Sequence, residues 1–78
     1  MIVVNTLDVG RPYKAVSLVS ATVRGTSDES EAVRAMIVRA TALDADAIVN
    51  AHFRIDTVGS AFVNTTTILA YGTAVKFT

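Results

Sequence analysis

Residues 46–57 read DAIVNAHFRIDT, and the alternation in this stretch decides the fold class. Ala47, Val49, Ala51, Phe53 and Ile55 share one parity; Ile48, Asn50, His52, Arg54 and Asp56 share the other. A period of two marks a half-buried β-strand. The apolar set is predicted to meet a helix, and the polar set is predicted to face outward as contact surface.

The helix comes just before. GTSDESE, residues 25–31, offers two capping registers, Thr26 with Glu29 or Asp28 with Glu31. Acidic residues in a first turn also complement the helix dipole. From about Asp28 to Leu43, the residues Val33, Met36, Ile37, Ala40 and Leu43 recur at helical spacing and form the predicted core stripe. Ala35, Val38 and Ala42 make a weaker stripe on the opposite side, where a solvated helix would carry charge. They are read as a subunit contact, although small apolar residues also tolerate water.

Strands flank this unit. Met1–Asn5 is short, apolar and β-branched, and reads as an edge strand. Gly10 and Pro12 mark a turn. Tyr13–Arg24 reads as a second strand, with Val16 and Leu18 on one face and Ala15, Val19, Ala21 and Val23 on the other. Both faces are then partly apolar, as in a sheet covered on both sides. Val58 and Gly59 are the predicted turn before a long last strand, Ala61–Phe77, with Gly72 as a kink or bulge. A two-residue turn there would set His52 opposite Thr65, Asn50 opposite Thr67 and Val49 opposite Ile68. The whole chain, residues 1–78, is thus one α+β domain of order β-β-α-β-β, with one helix packed on a twisted, mainly antiparallel sheet.

Composition points to assembly. A domain of 78 residues buries only roughly 60% of the surface its unfolded chain exposes. Yet 51% of its residues are hydrophobic and 18% are charged. The surplus apolar surface suits contacts between subunits. Seven basic residues balance seven acidic ones, which argues against a general nucleic-acid binder. A neutral, apolar single chain would also tend to precipitate. Cysteine is absent, which excludes disulfides, thiolate metal sites and cysteine nucleophiles. A cytoplasmic location is the default expectation; no signal peptide is visible in residues 1–20, and no apolar run is long enough to span a membrane.

Few residues carry chemistry. His52, Arg54 and Asp56 lie about 7 Å apart at each step along one strand face. An imidazole with carboxylates can hold a divalent metal, so His52, Asp56 and Asp46 are the candidate ligands, gathered at a subunit interface because one chain supplies a single histidine. The same face also suits polar pairing between strands or subunits, with Asn50 and Arg54 as contact candidates. Asp44 and Asp46 could bind a hard cation, but turn chemistry is the favoured role for Asp44, where the helix stops. Met36 is read as core filler. Arg34 and Arg39 point in different directions around the helix, so they do not converge on an anion. No nucleophile elbow, P-loop or dinucleotide fingerprint is present, and the chain is expected not to be an enzyme.

Two segments together resemble a known family. MIVVNTLDVGRPYKAVSLVSATV opens the chain, and LDADAIVNAHFRIDTVGSAF with ILAYGTAVKF closes it. These resemble the YbjQ-like family of small bacterial proteins of unknown function, which carries a heavy-metal-binding label. Ile2–Thr6, Gly10 and Val19-Ser20 correspond to its opening strands, and Ala45–Val49 and Ala70–Val75 to its closing motifs. Only Gly25–Ser30 fills the space where the family has a longer segment with extra helix. Asn50, His52 and Arg54 stand where the family commonly has glycine, arginine and an acidic residue. The resemblance implies an α+β fold and a homo-oligomer, a pentameric ring or a multiple of it. The functions expected are a self-assembling module that binds a small ligand or ion, a metal-sequestering protein using His52, Asp56 and Asp46, or a dodecin-like cofactor store. The last would need a stacking platform, for which the chain offers Tyr13 and Tyr71 and no tryptophan.

Overall fold

Strand β1 (Ile2–Val3) is followed by β2 (Tyr13–Arg24), helix α1 (Glu29–Ala42), β3 (Ala47–Gly59) and β4 (Asn64–Phe77). The computed structural model describes residues 1–25, 28–59 and 64–78. One mixed sheet has the order β1-β3-β4-β2. β1 runs parallel to β3, and β4 is antiparallel to both β3 and β2.

The helix starts and stops for local reasons. Asp28 is its N-cap, and its carboxylate accepts the Ser30 backbone N–H at 3.0 Å and the Ser30 hydroxyl at 2.7 Å. The Thr26 register falls outside the described residues. At the other end, Asp44 adopts a positive φ of 60°. Its N–H reaches Thr41 O at 2.9 Å and the Ala45 N–H reaches Ala40 O at 3.1 Å. That is the Schellman arrangement, which satisfies the last helical carbonyls.

The core stripe differs from the predicted one. Ala32, Met36 and Ala40 are fully buried, with Ala35 and Ile37 packed beside them, whereas Leu43 is the half-exposed C-cap. Against them lie Val19 and Ala21 of β2, Ile48 and Ala51 of β3, and Ile68, Ala70 and Ala74 of β4. Small residues line both surfaces, so helix and sheet approach closely. This also corrects the outward placement of Ala35, which belongs to the flank of the core.

The alternation of β3 breaks at Asn50, and this overturns part of the sequence reading. The register against β4 shifts between Val49 and His52, and Asn50 sits at φ 54°. One extra residue in the left-handed region is a β-bulge. Before it, Ile48 faces the helix while Ala47 and Val49 face away, against expectation. After it, Ala51, Phe53 and Ile55 return to the helix side as predicted, since Phe53 pairs with Ala70 and Ile55 with Ile68. Gly72 is the counterpart of the bulge on β4. A Cβ there would stand 2.8 Å from Ile48 Cγ2, 3.2 Å from Val49 O and 3.3 Å from Ala51 Cα. The kink predicted at Gly72 is therefore a bulge in the facing strand, for which glycine makes room. A second shift, between Ala15 and Ser17, moves Ala15 opposite Val75 and off the face of Val19.

The hairpin register is also different. Gly59 pairs with Asn64, so Val58 and Gly59 are strand residues of β3 rather than a turn. The predicted strand residues 61–63 fall outside the described residues. His52 pairs with Tyr71, Val49 with Thr73 and Asp56 with Thr67. The two-residue turn at Val58 and Gly59 fails because both residues are taken up by the ladder, paired with Thr65 and Asn64, which slides every pair.

Residues 4–6 continue along the edge of β3, and the chain then passes over one end of the sheet face opposite the helix. The Val4 N–H reaches Ile48 O at 3.0 Å, and Val4 O and Thr6 O accept the N–H groups of Ala51 and Asn50 at 3.0 and 2.7 Å. Asp8 accepts the Gly10 N–H at 2.8 Å and turns the chain. Val4, Val9, Tyr13 and Phe77 then cover Ala47, Val49 and Val75. The segment covers only one end of that face.

Candidate functional site

The uncovered part of this face is the candidate site. Three cross-strand rows run over it: His52–Tyr71–Ser20, Arg54–Leu69–Thr22 and Asp56–Thr67–Arg24. Leu18, 82% exposed, pairs with Thr73 at the near edge. Leu18, Ser20, Asn50, Tyr71, Gly72 and Thr73 line a depression of ≈ 270 Å³. Its floor is apolar, and its rim offers three hydroxyls and one amide.

His52 borders it. Its Nε2 lies 2.9 Å from Asn50 Oδ1, so a protonated Nε2 donates to the amide. Its ring tilts by 37° against Tyr71 at a centroid distance of 5.8 Å, within the range of attractive aromatic pairs. Nδ1 has no partner among the described residues, which leaves a lone pair for a ligand or metal. The bulge therefore has a chemical result: it turns the Asn50 side chain back to orient the imidazole.

The other proposed ligands lie elsewhere. Asp46 lies just before β3, where its carboxylate accepts the Phe77 N–H at 2.8 Å. Asp56 is two strand steps beyond His52 and meets Arg54 Nε at 3.4 Å. Asp44 pairs with Lys76 at 2.9 Å; that hydrogen bond raises the Lys76 ammonium pKa above its ordinary value. Among the described residues, no three His, Asp or Glu side chains gather within one chain. A shell using His52, Asp56 and Asp46 therefore requires donors from more than one copy. Of the contact candidates, Val38, Ala42 and Arg54 are exposed, Ala35 is half-buried, and Asn50 shapes the bulge. Leu18, Ser20 and Thr73 were not picked out by sequence reasoning, because they reach His52 only through the register of β2 on β4.

Residues 22–78 match the family model described as "Putative heavy-metal-binding", that of the YbjQ-like proteins. The chain belongs to the YbjQ-like family. The matched span contains the helix, β3 and β4, and with them every proposed ligand. A crystal structure of a protein of unknown function from Pediococcus pentosaceus, of the DUF74 family, shares the fold with a TM-score of 0.87 at 17% identity. The superposition covers 100% of this YbjQ-like chain and 98% of the other. No curated protein matches the sequence. Among the described residues, no helix of this YbjQ-like chain is long and apolar enough to cross a membrane.

Proposed function

We propose that this YbjQ-like chain is a non-enzymatic cytoplasmic module that assembles with copies of itself and binds a small ligand or ion on the sheet face opposite the helix. The observation that carries the reading is the bare face itself, where Leu18, Tyr71 and the His52 imidazole stand uncovered in a chain of 78 residues. Exposed apolar surface of this kind marks contact or ligand sites. Assembly would hide it and bring several copies of one histidine together. More than two subunits are expected, with five or a multiple of five as the working number. Sedimentation velocity at micromolar concentration tests this; a folded single chain would end the reading.

A second reading makes the ligand a divalent metal held by His52, Asp56 and Asp46 from neighbouring copies. The family description and the unpartnered Nδ1 favour it. Elemental analysis of protein purified without a metal column should then find bound metal that His52→Ala loses. Metal-free protein that takes up none of an added transition ion refutes it.

A further inference from the structure

We propose that the depression beside the β3 bulge takes one neutral sugar ring, seated on Leu18 and Tyr71 and held at its edge by Ser20, Asn50 and Thr73. This rests on the ligand-binding part of the reading above and names the class of ligand. It does not depend on the number of subunits.

Charge excludes most alternatives. Every residue that lines the depression is uncharged. No carboxylate stands there to balance a cation, and no ammonium or guanidinium to balance an anion. Beyond His52 on β3, the first charged side chain is Arg54, one row further out and turned to Asp56 at 3.4 Å. An ion seated in the depression would give up hydration without a partner, which is costly. The ligand that fits is neutral.

The lining then sets its shape. Leu18 and Tyr71 are 82% and 43% exposed and form the apolar surface. The electron-rich face of an aromatic ring attracts positively polarised edge groups, and the C–H face of a sugar ring supplies them. Around this surface stand the hydroxyls of Ser20, Tyr71 and Thr73, none with a hydrogen-bond partner among the described residues. Each both donates and accepts, as each sugar hydroxyl does. A volume of ≈ 270 Å³ has room for about nine waters at roughly 30 Å³ each. That suits one six-membered ring with part of its substituents, and not a fused or two-ring cofactor.

The bulge gives an independent reason. Asn50 is held at φ 54° by its N–H on Thr6 O at 2.7 Å, with the Ala51 N–H on Val4 O at 3.0 Å. Residues other than glycine fixed in such a conformation gather at ligand sites. Glycine would adopt it as readily, so what asparagine adds is its amide. Its Oδ1 is engaged by His52 Nε2 at 2.9 Å, which leaves Nδ2 as a lone donor at the rim. An asparagine that reads an adenine base uses both amide atoms at once; this one has a single donor to offer, which a hydroxyl can accept.

The test follows the backbone amide signals of the isotope-labelled full chain by NMR. Methyl α-glucoside, methyl α-galactoside and methyl α-mannoside are titrated separately to millimolar concentration, with adenosine and zinc chloride as further arms. At least one glycoside should shift the amides of Leu18–Ser20, Asn50–His52 and Tyr71–Thr73 and leave the helix unmoved. Tyr71→Ala should abolish the shifts. Asn50→Gly keeps the positive φ without the amide and should weaken binding about two- to twelve-fold, as loss of one uncharged hydrogen bond does. Ser20→Ala should weaken it to the same degree, and it serves from another strand should the spectrum of Tyr71→Ala show a lost fold. Glycoside shifts that persist unchanged in a folded Tyr71→Ala and in Ser20→Ala overturn the proposal. If adenosine or zinc moves these amides and no glycoside does, the sugar fails and the ligand site stands. If no probe moves them, both fail.

Discussion

Replacing Gly72 with alanine adds one carbon where the bulge of β3 leans on β4. The new Cβ would lie 2.8 Å from Ile48 Cγ2, well inside the roughly 3.5–4.0 Å at which carbons attract. Two further contacts, at 3.2 and 3.3 Å, are with the backbone of Val49 and Ala51, which cannot yield without opening the bulge. Ile48 is fully buried in the same cluster as Met36 and has no free space to move into. Overpacking of this kind costs about 1–3 kcal/mol. In a domain of this size each kcal/mol moves Tm by about 4–8 °C, so a fall of roughly 4–24 °C is expected. Thermal melts followed by circular dichroism, at matched protein concentration because assembly would shift Tm, measure it. The sign is decisive. Alanine in an ordinary strand position stabilises relative to glycine by roughly 0.5–1 kcal/mol, so a Tm equal to or above that of the parent would refute the close approach.

Other expectations concern single positions. Asn50→Gly should melt near the parent, whereas Asn50→Val, forced to a positive φ of 54°, should cost about 1–2 kcal/mol or more and release the His52 ring; melts and the imidazole NMR shifts check both. Asp44→Gly should raise Tm by a few degrees, because glycine suits the left-handed position and an anion at a helix C-terminus is unfavourable; its exposed pair with Lys76 contributes little. Hydrogen bonds from the Ser30 hydroxyl and N–H hold the Asp28 carboxyl below its ordinary pKa. A lowered folded pKa gives stability above the unfolded value that is lost as pH falls through the folded one. The loss of Tm as pH falls below about 4 should therefore be shallower in Asp28→Ala, read from melts across that acid range.

The helix was legible nearly to the residue because its ends are set by Asp28 and Asp44 within a few residues of chain. The strands were legible as segments for the same reason. Register was not, since it depends on the length of the connection after Gly59 and on single inserted residues. Asn50 passes as one more polar residue in an alternating strand; only its tolerance of positive φ and a glycine 22 positions later hint otherwise. The core stripe was legible at Met36, Ile37 and Ala40 but missed Ala32, which packs with alanines of the sheet. Hydrophobicity favours Val33 and Leu43, while close approach favours small size. His52 was correctly placed on the face turned from the helix, but its neighbours Tyr71, Leu18 and Ser20 come from other strands and share the fate of the register.

Strand β4 lies between β2 and β3 and is the last of the three to be synthesised. Until it leaves the ribosome, β2 and β3 have no common partner, and Val19, Ala21, Ile48 and Ala51 have no completed sheet on which to rest. Nearly all the long-range pairing must therefore form late and together. A nascent chain stalled before Asn64 would present two apolar strands with open edges to whatever is nearby, which makes the final fourteen-residue strand the step that separates productive folding from aggregation.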